Sequence, residues 1–64
     1  MQKTTHLREL RNRASLSQEE LAEKSGVSRA TIAELETGKR TAQPKTRRKI
    51  AEALGVEPRE LSEP

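Results

Sequence analysis

The stretch LSQEELAEKSGVSRATIAELETGK, residues 16–39, decides the fold. Two helix starts and two helix stops fall inside it. Ser17-Gln18-Glu19-Glu20 fits a capping box. The Ser17 hydroxyl can accept from the backbone amide of Glu20, and the Glu20 carboxylate can reach back to the amide of Ser17. Leu16 before the cap and Leu21 four positions into the helix make the matching hydrophobic staple. Gly26 ends this helix, because the left-handed backbone that closes a helix costs glycine least. The design then repeats. Ser28 caps a second helix, Val27 and Ile32 staple it, and Gly38 stops it. Only about Ser25 to Val27 joins the two, which is too short for a parallel alignment, so the helices are expected to cross at a large angle.

Outward from this centre the same signals continue. Leu7, Leu10 and Ala14 recur at helical spacing and predict a first helix over Thr5–Ala14, with Leu16 ending a short connection. After Gly38 comes a polar, basic stretch, Lys39 to Gln43. Pro44 suits the first turn of a fourth helix, where its missing amide does no harm. That helix reaches Leu54, stops at Gly55 and carries Ile50, Ala51 and Leu54 on its apolar face. A last short helix from about Pro58 brings Val56 and Leu61 inward. No stretch alternates β-branched or aromatic residues with polar ones, so no strand is predicted. The expected fold is all-α, with five short helices. Its expected core is Leu7, Leu10, Leu16, Leu21, Ala22, Val27, Ile32, Leu35, Ile50, Ala51, Leu54, Val56 and Leu61.

Sixty-four residues hold one domain, so residues 1–64 read as a single unit with the motif at about 18–37. Apolar content of 30% against 36% charged approaches the disordered regime, and only the ordered pattern above argues for folding. The chain has no Phe, Tyr or Trp, which leaves a compact aliphatic core and no large ligand pocket. With no cysteine there is neither a disulfide framework nor a thiolate zinc site, and a single histidine, His6, cannot make a metal cluster. No metal or other cofactor is expected. No apolar run approaches the ~20 residues of a membrane span, and Met1 to His6 lead into no apolar signal core. A cytoplasmic location is the expectation. The net charge of +3 is mild, but its distribution is not. Lys39–Lys49 holds six cations (Lys39, Arg40, Lys45, Arg47, Arg48, Lys49) and no acid, directly after the motif. A basic segment in that place is the footprint of a nucleic-acid binder, and its plain alternative is a solvated loop and helix end.

The run from Leu16 to Lys39 strongly resembles the helix-turn-helix of the Cro/phage-repressor (Xre-like) family. The small Ala22 stands where one helix crosses the other, and Gly26 makes the turn. The ending IAEALGVEPREL, residues 50–61, looks like that family's last two helices, so the resemblance covers nearly the whole chain. It implies a lambda-repressor-like DNA-binding domain whose third helix enters the major groove of double-stranded DNA by its N-terminal end. On that resemblance Arg29, Ala30 and Glu34 occupy the positions that reach base edges. Arg29 suits guanine O6 and N7, Glu34 a cytosine amino group, and Ala30 and the methyl of Thr31 a thymine methyl. For Arg29 the alternative is a phosphate contact, and for Glu34 it is exclusion of phosphate or pairing with a neighbouring arginine. Gln18 is placed at a phosphate beside the amides of a helix N-terminus. Ser28 caps its helix and also stands within reach of the backbone. Lys39 and Arg40 follow as phosphate contacts, extended by Lys45, Arg47 and Arg48. Arg11 and Glu36 match a family pair that ties the first helix to the end of the third. Two positions depart from the family pattern. Arg47 stands where many relatives are apolar, and Pro44 lies slightly later than their proline.

The implied activity is sequence-specific regulation of transcription, most simply repression by a homodimer on a two-fold operator. A protein-interaction module, such as an antitoxin or coactivator-type domain, is the alternative. For it the acidic faces at Glu19, Glu20, Glu23 and at Glu52, Glu57, Glu60 would meet a basic partner. An enzyme is not expected: no nucleophile stands beside a base and no glycine loop cradles phosphate.

Overall fold

The structure, a computed structural model, describes residues 6–61. Among the described residues four α-helices and a closing 3-10 turn follow one another: α1 (Leu7–Arg13), α2 (Gln18–Ser25), α3 (Arg29–Thr37), α4 (Pro44–Leu54) and the turn Pro58–Leu61. No β-strand occurs among the described residues. No helix among them is long and apolar enough to cross a membrane.

The helix boundaries follow from the caps. The capping box at Ser17 is formed in full, with Glu20 N to Ser17 Oγ at 3.0 Å and Ser17 N to Glu20 Oε1 at 2.8 Å. Gly26 (φ +76) and Gly38 (φ +79) both adopt the left-handed backbone at the helix ends. Pro44 opens α4 behind Gln43. The first helix differs from expectation. Thr5 lies outside the described residues, α1 begins at Leu7, and Ala14 is its cap rather than its last turn. The reason is Ser15, which takes a left-handed φ of +60. It lets Ser15 N reach Asn12 O (2.9 Å) and Leu16 N reach Arg11 O (3.1 Å). That is the reversal glycine usually makes, and a side chain there costs roughly 1–2 kcal/mol. The expected fifth helix is a single 3-10 turn. Only four residues make up Pro58–Leu61, and Pro58 has no amide to donate.

In packing, α4 lies against α2 and the closing turn, and α3 lies against α2 and α1. The sealed core is Leu7, Leu21, Ile32, Leu35, Ala42, Ile50, Ala51 and Leu61. Six residues expected there, Leu10, Leu16, Ala22, Val27, Leu54 and Val56, pack against it half-buried. The cause is size. A body measuring 25 × 21 × 19 Å has little interior, and most of its apolar side chains must stand at the rim. Ala42, read from the sequence as part of a polar loop, is 1% exposed and belongs to the sealed core. His6 N donates to Leu61 O at 3.1 Å and ties the start of α1 to the closing turn.

Candidate nucleic-acid interface

The leading end of α3 is presented to solvent. Ser28, Arg29 and Ala30 are all exposed, while Ile32 and Leu35 are buried beneath them. Ala30, Glu34 and Thr37 fall at i, i+4 and i+7 and share one stripe of the helix, with Arg29 one position round at its start. Thr31 is half-buried, lining a cleft with Leu35 and Ala42, and is bonded to Ser28. Ser28 Oγ accepts from Thr31 N (3.2 Å) and donates to Thr31 Oγ1 (2.8 Å), so both hydroxyls are engaged in capping. The tip of the rod is therefore held by a local cap as well as by the buried Ile32 beneath it.

The α2–α3 connection is equally defined. Gly26 turns the chain, Val27 N donates to Ser25 Oγ at 3.2 Å, and Val27 packs on the core. At the far end, Lys39 N donates to Glu34 O at 3.0 Å, closing the helix as Gly38 reverses the chain. Lys39, Arg40, Lys45 and Arg48 are exposed. Lys45 and Arg48 are three apart on one side of α4. Arg47, grouped with them in the sequence, is half-buried instead.

Behind the exposed face, Glu36 fastens α3 to the body. Its side chain is 0% exposed. Oε2 accepts from Arg11 Nε at 2.6 Å, and Oε1 accepts from Arg11 Nη2 (3.1 Å), Gln18 Nε2 (3.1 Å) and Arg8 Nε (3.4 Å). Arg11 Nη1 also donates to Leu16 O at 2.8 Å. One carboxylate thus joins α1, α2 and α3. Burial pushes the Glu36 carboxyl up, but the bonds from Arg11, Gln18 and Arg8 and the Arg11 charge outweigh it and hold it below its ordinary value. The bond to Glu36 holds the Arg11 guanidinium above its own ordinary value, against the opposing effect of burial.

The expected Arg11–Glu36 pair is therefore present. Arg8 and Gln18 are further members that the sequence does not announce, since nothing in their spacing links them to a residue 28 or 18 positions away. The amide nitrogen of Gln18, expected at a phosphate, donates one hydrogen to Glu36 and has a second to offer. Glu34 does pair with a neighbouring arginine, Arg40, at 3.0 Å.

The sequence profile of the helix-turn-helix family HTH_3 matches residues 7–61. Over 51 residues the chain is 49% identical to an uncharacterized HTH-type transcriptional regulator of Bacillus subtilis, RghRB. The match takes in 78% of this chain and 37% of that protein, so the chain spans little more than a third of that relative. An uncharacterized HTH-type transcriptional regulator of Methanothermobacter thermautotrophicus is 47% identical over 53 residues, covering 83% of this chain and 77% of the other. Among solved structures, the restriction-modification controller protein C.AhdI from Aeromonas hydrophila is similar, with a TM-score of 0.85 at 45% identity. The superposition covers 91% of this chain and 88% of that one.

Proposed function

The chain belongs to the helix-turn-helix family HTH_3, and from that premise we propose that it is a sequence-specific DNA-binding regulator of transcription. In this reading it acts in the cytoplasm as a repressor, as a homodimer on a two-fold operator. The observation that carries the reading is the exposed tip of α3, Ser28 to Ala30, together with the exposed cations Lys39, Arg40, Lys45 and Arg48 that follow the helix. Arg29 reads a guanine, Glu34 a cytosine amino group, and Ala30 with the Thr31 methyl a thymine methyl. Gln18, Lys39, Arg40, Lys45 and Arg48 hold phosphates and set the register, and Ser28 joins them where its hydroxyl hydrogen turns from Thr31 to a phosphate. One such motif reads only a few base pairs, so two copies with half-sites about 34 Å apart are required for a usable site.

The acidic-face alternative has less support. Two of its six carboxylates serve the fold itself: Glu20 accepts from Ser17 N, and Glu60 Oε2 accepts from Glu57 N at 2.8 Å.

Selection of bound duplexes from a random pool, followed by gel-shift titration in salt, tests the reading. With six to eight phosphates per dimer neutralised by Lys39, Arg40, Lys45 and Arg48 of the two copies, log affinity should fall against log salt with a slope of about −5 to −7. The selected sites should be two-fold symmetric. A flat salt response, or no enrichment, would remove DNA from the account.

A further inference from the structure

Arg40 and Glu34 hold each other across the end of α3. Arg40 Nε lies 3.0 Å from Glu34 Oε1, and the two side chains are 56% and 40% exposed. The backbone brings them together. Gly38 reverses the chain with its left-handed φ of +79, the Lys39 amide closes onto Glu34 O, and Arg40 returns alongside the helix it has just left. Arg40 then lines the cleft between α3 and the start of α4, beside Thr31, Gln43 and Thr46.

The DNA-binding reading sets each partner a competing role, a phosphate for Arg40 and a base edge for Glu34. On a duplex of the wrong sequence, Arg40 leaving for a phosphate strands a bare carboxylate against a polyanion. On the right sequence, a cytosine amino group replaces the guanidinium as donor to Glu34. Resting on that reading, we propose that the Glu34–Arg40 ion pair is a selectivity clasp. It stays closed on random DNA and withholds one backbone contact. It opens where a cytosine takes over the Glu34 carboxylate. An exposed pair of this kind biases such an equilibrium by up to about fivefold. That is small for one copy, and it applies twice in a dimer.

The test measures binding of the intact chain to a random duplex and to a duplex selected from a random pool, each across a salt series. The proteins are wild type, Glu34→Gln, Arg40→Gln and the double variant. Both side chains are exposed, and circular dichroism confirms that each variant is folded. Glu34→Gln should tighten binding to the random duplex about two- to fivefold. It should also steepen the salt slope there by about 0.9, the signature of one more neutralised phosphate. On the selected duplex it should bring no gain, so the ratio of specific to random binding falls. In the Arg40→Gln background the gain from Glu34→Gln should vanish. A gain of equal size in that background means plain charge repulsion and overturns the clasp, as does unchanged binding of Glu34→Gln to the random duplex. If wild type binds neither duplex, the DNA-binding reading itself is overturned and the clasp with it.

Discussion

Removing one partner of the Arg11–Glu36 pair should cost a large share of the stability, while removing both should cost little. Glu36 is 0% and Arg11 12% exposed, so neither is rescued by solvent alone. Stranding one charge of a buried pair costs about 3–5 kcal/mol. Glu36→Leu belongs at the lower end, about 3 kcal/mol, because Arg11 keeps its bond to Leu16 O and some access to water. Arg11→Met belongs higher, at about 4–5 kcal/mol. It leaves the buried carboxylate with only Gln18 and the longer contact from Arg8. Against a total stability of about 3–10 kcal/mol for a chain of this length, either loss removes about a third or more of it. The double variant Arg11→Met/Glu36→Leu puts apolar side chains on both sides and should lie within about 1–1.5 kcal/mol of wild type. The chain has no aromatic residue, so the assay is thermal melting followed by far-ultraviolet circular dichroism. At about 4–8 °C per kcal/mol, the single variants should lose roughly 12 °C or more and the double variant no more than about half as much as either. A single variant melting within about 5 °C of wild type, or a double variant as unstable as the two singles summed, would refute the view of Glu36 as the buried anchor of α3.

Other expectations follow from named groups. The Glu36 carboxyl is held below its ordinary value of 4.5, so the folded state takes up its proton less readily than the unfolded chain. That contribution is complete above this value and is lost as the pH falls through the lower folded value. Wild type should therefore weaken on acidification below about pH 4.5, with the Arg11→Met/Glu36→Leu variant showing a shallower decline of urea midpoint over the same window. Arg29→Ala should relax sequence preference, whereas Lys39→Ala should weaken all duplexes alike and flatten the salt slope by about 0.9 for each phosphate no longer neutralised. Competition binding with matched and mismatched duplexes separates the two. Gly26→Ala should cost about 1–2 kcal/mol. An added Cβ there meets nothing within 4 Å, and only its left-handed backbone resists the change. Ser15→Gly should be neutral or stabilise by up to about 1 kcal/mol, because the native φ of +60 already suits glycine. Melting curves check both, and a clear loss of stability in Ser15→Gly would contradict the Ser15 geometry.

The parts of this fold that are legible in the sequence are those fixed by neighbours a few positions apart. Ser17 and Glu20 lie within one turn, so their reciprocal bonds follow from type and spacing alone. Gly26, Gly38 and Gly55 mark their helix ends for the same reason. Where the chain reverses without glycine, at Ser15, periodicity carries the first helix too far, since serine announces no left-handed turn. Ala42 escapes sequence reading for a different reason. A single small apolar residue between Thr41 and Gln43 has no periodicity, and only the tertiary fold places it in the core with Leu35 and Ile50.

The candidate interface divides along the same line. Arg29 and Ala30 are readable because a helix tip behind a serine cap is exposed almost by construction. The two glutamates that follow are harder, because identical side chains two residues apart have opposite fates. On a helix that step is a rotation of roughly 200°. It turns Glu36 into the body, where it is 0% exposed among Arg8, Arg11 and Gln18, and leaves Glu34 outside with Arg40. The family resemblance supplies the Arg11 partner, but only tertiary packing places Gln18 and Arg8 on the same carboxylate. Experiment can separate the two glutamates. Substitutions at Glu36 should move stability and acid sensitivity, and move DNA preference only through unfolding. Substitutions at Glu34 should leave the melting curve in place and move the preference itself. If both positions moved the same observable in proportion, the rotation that assigns one glutamate to the body and the other to the groove would not describe this helix.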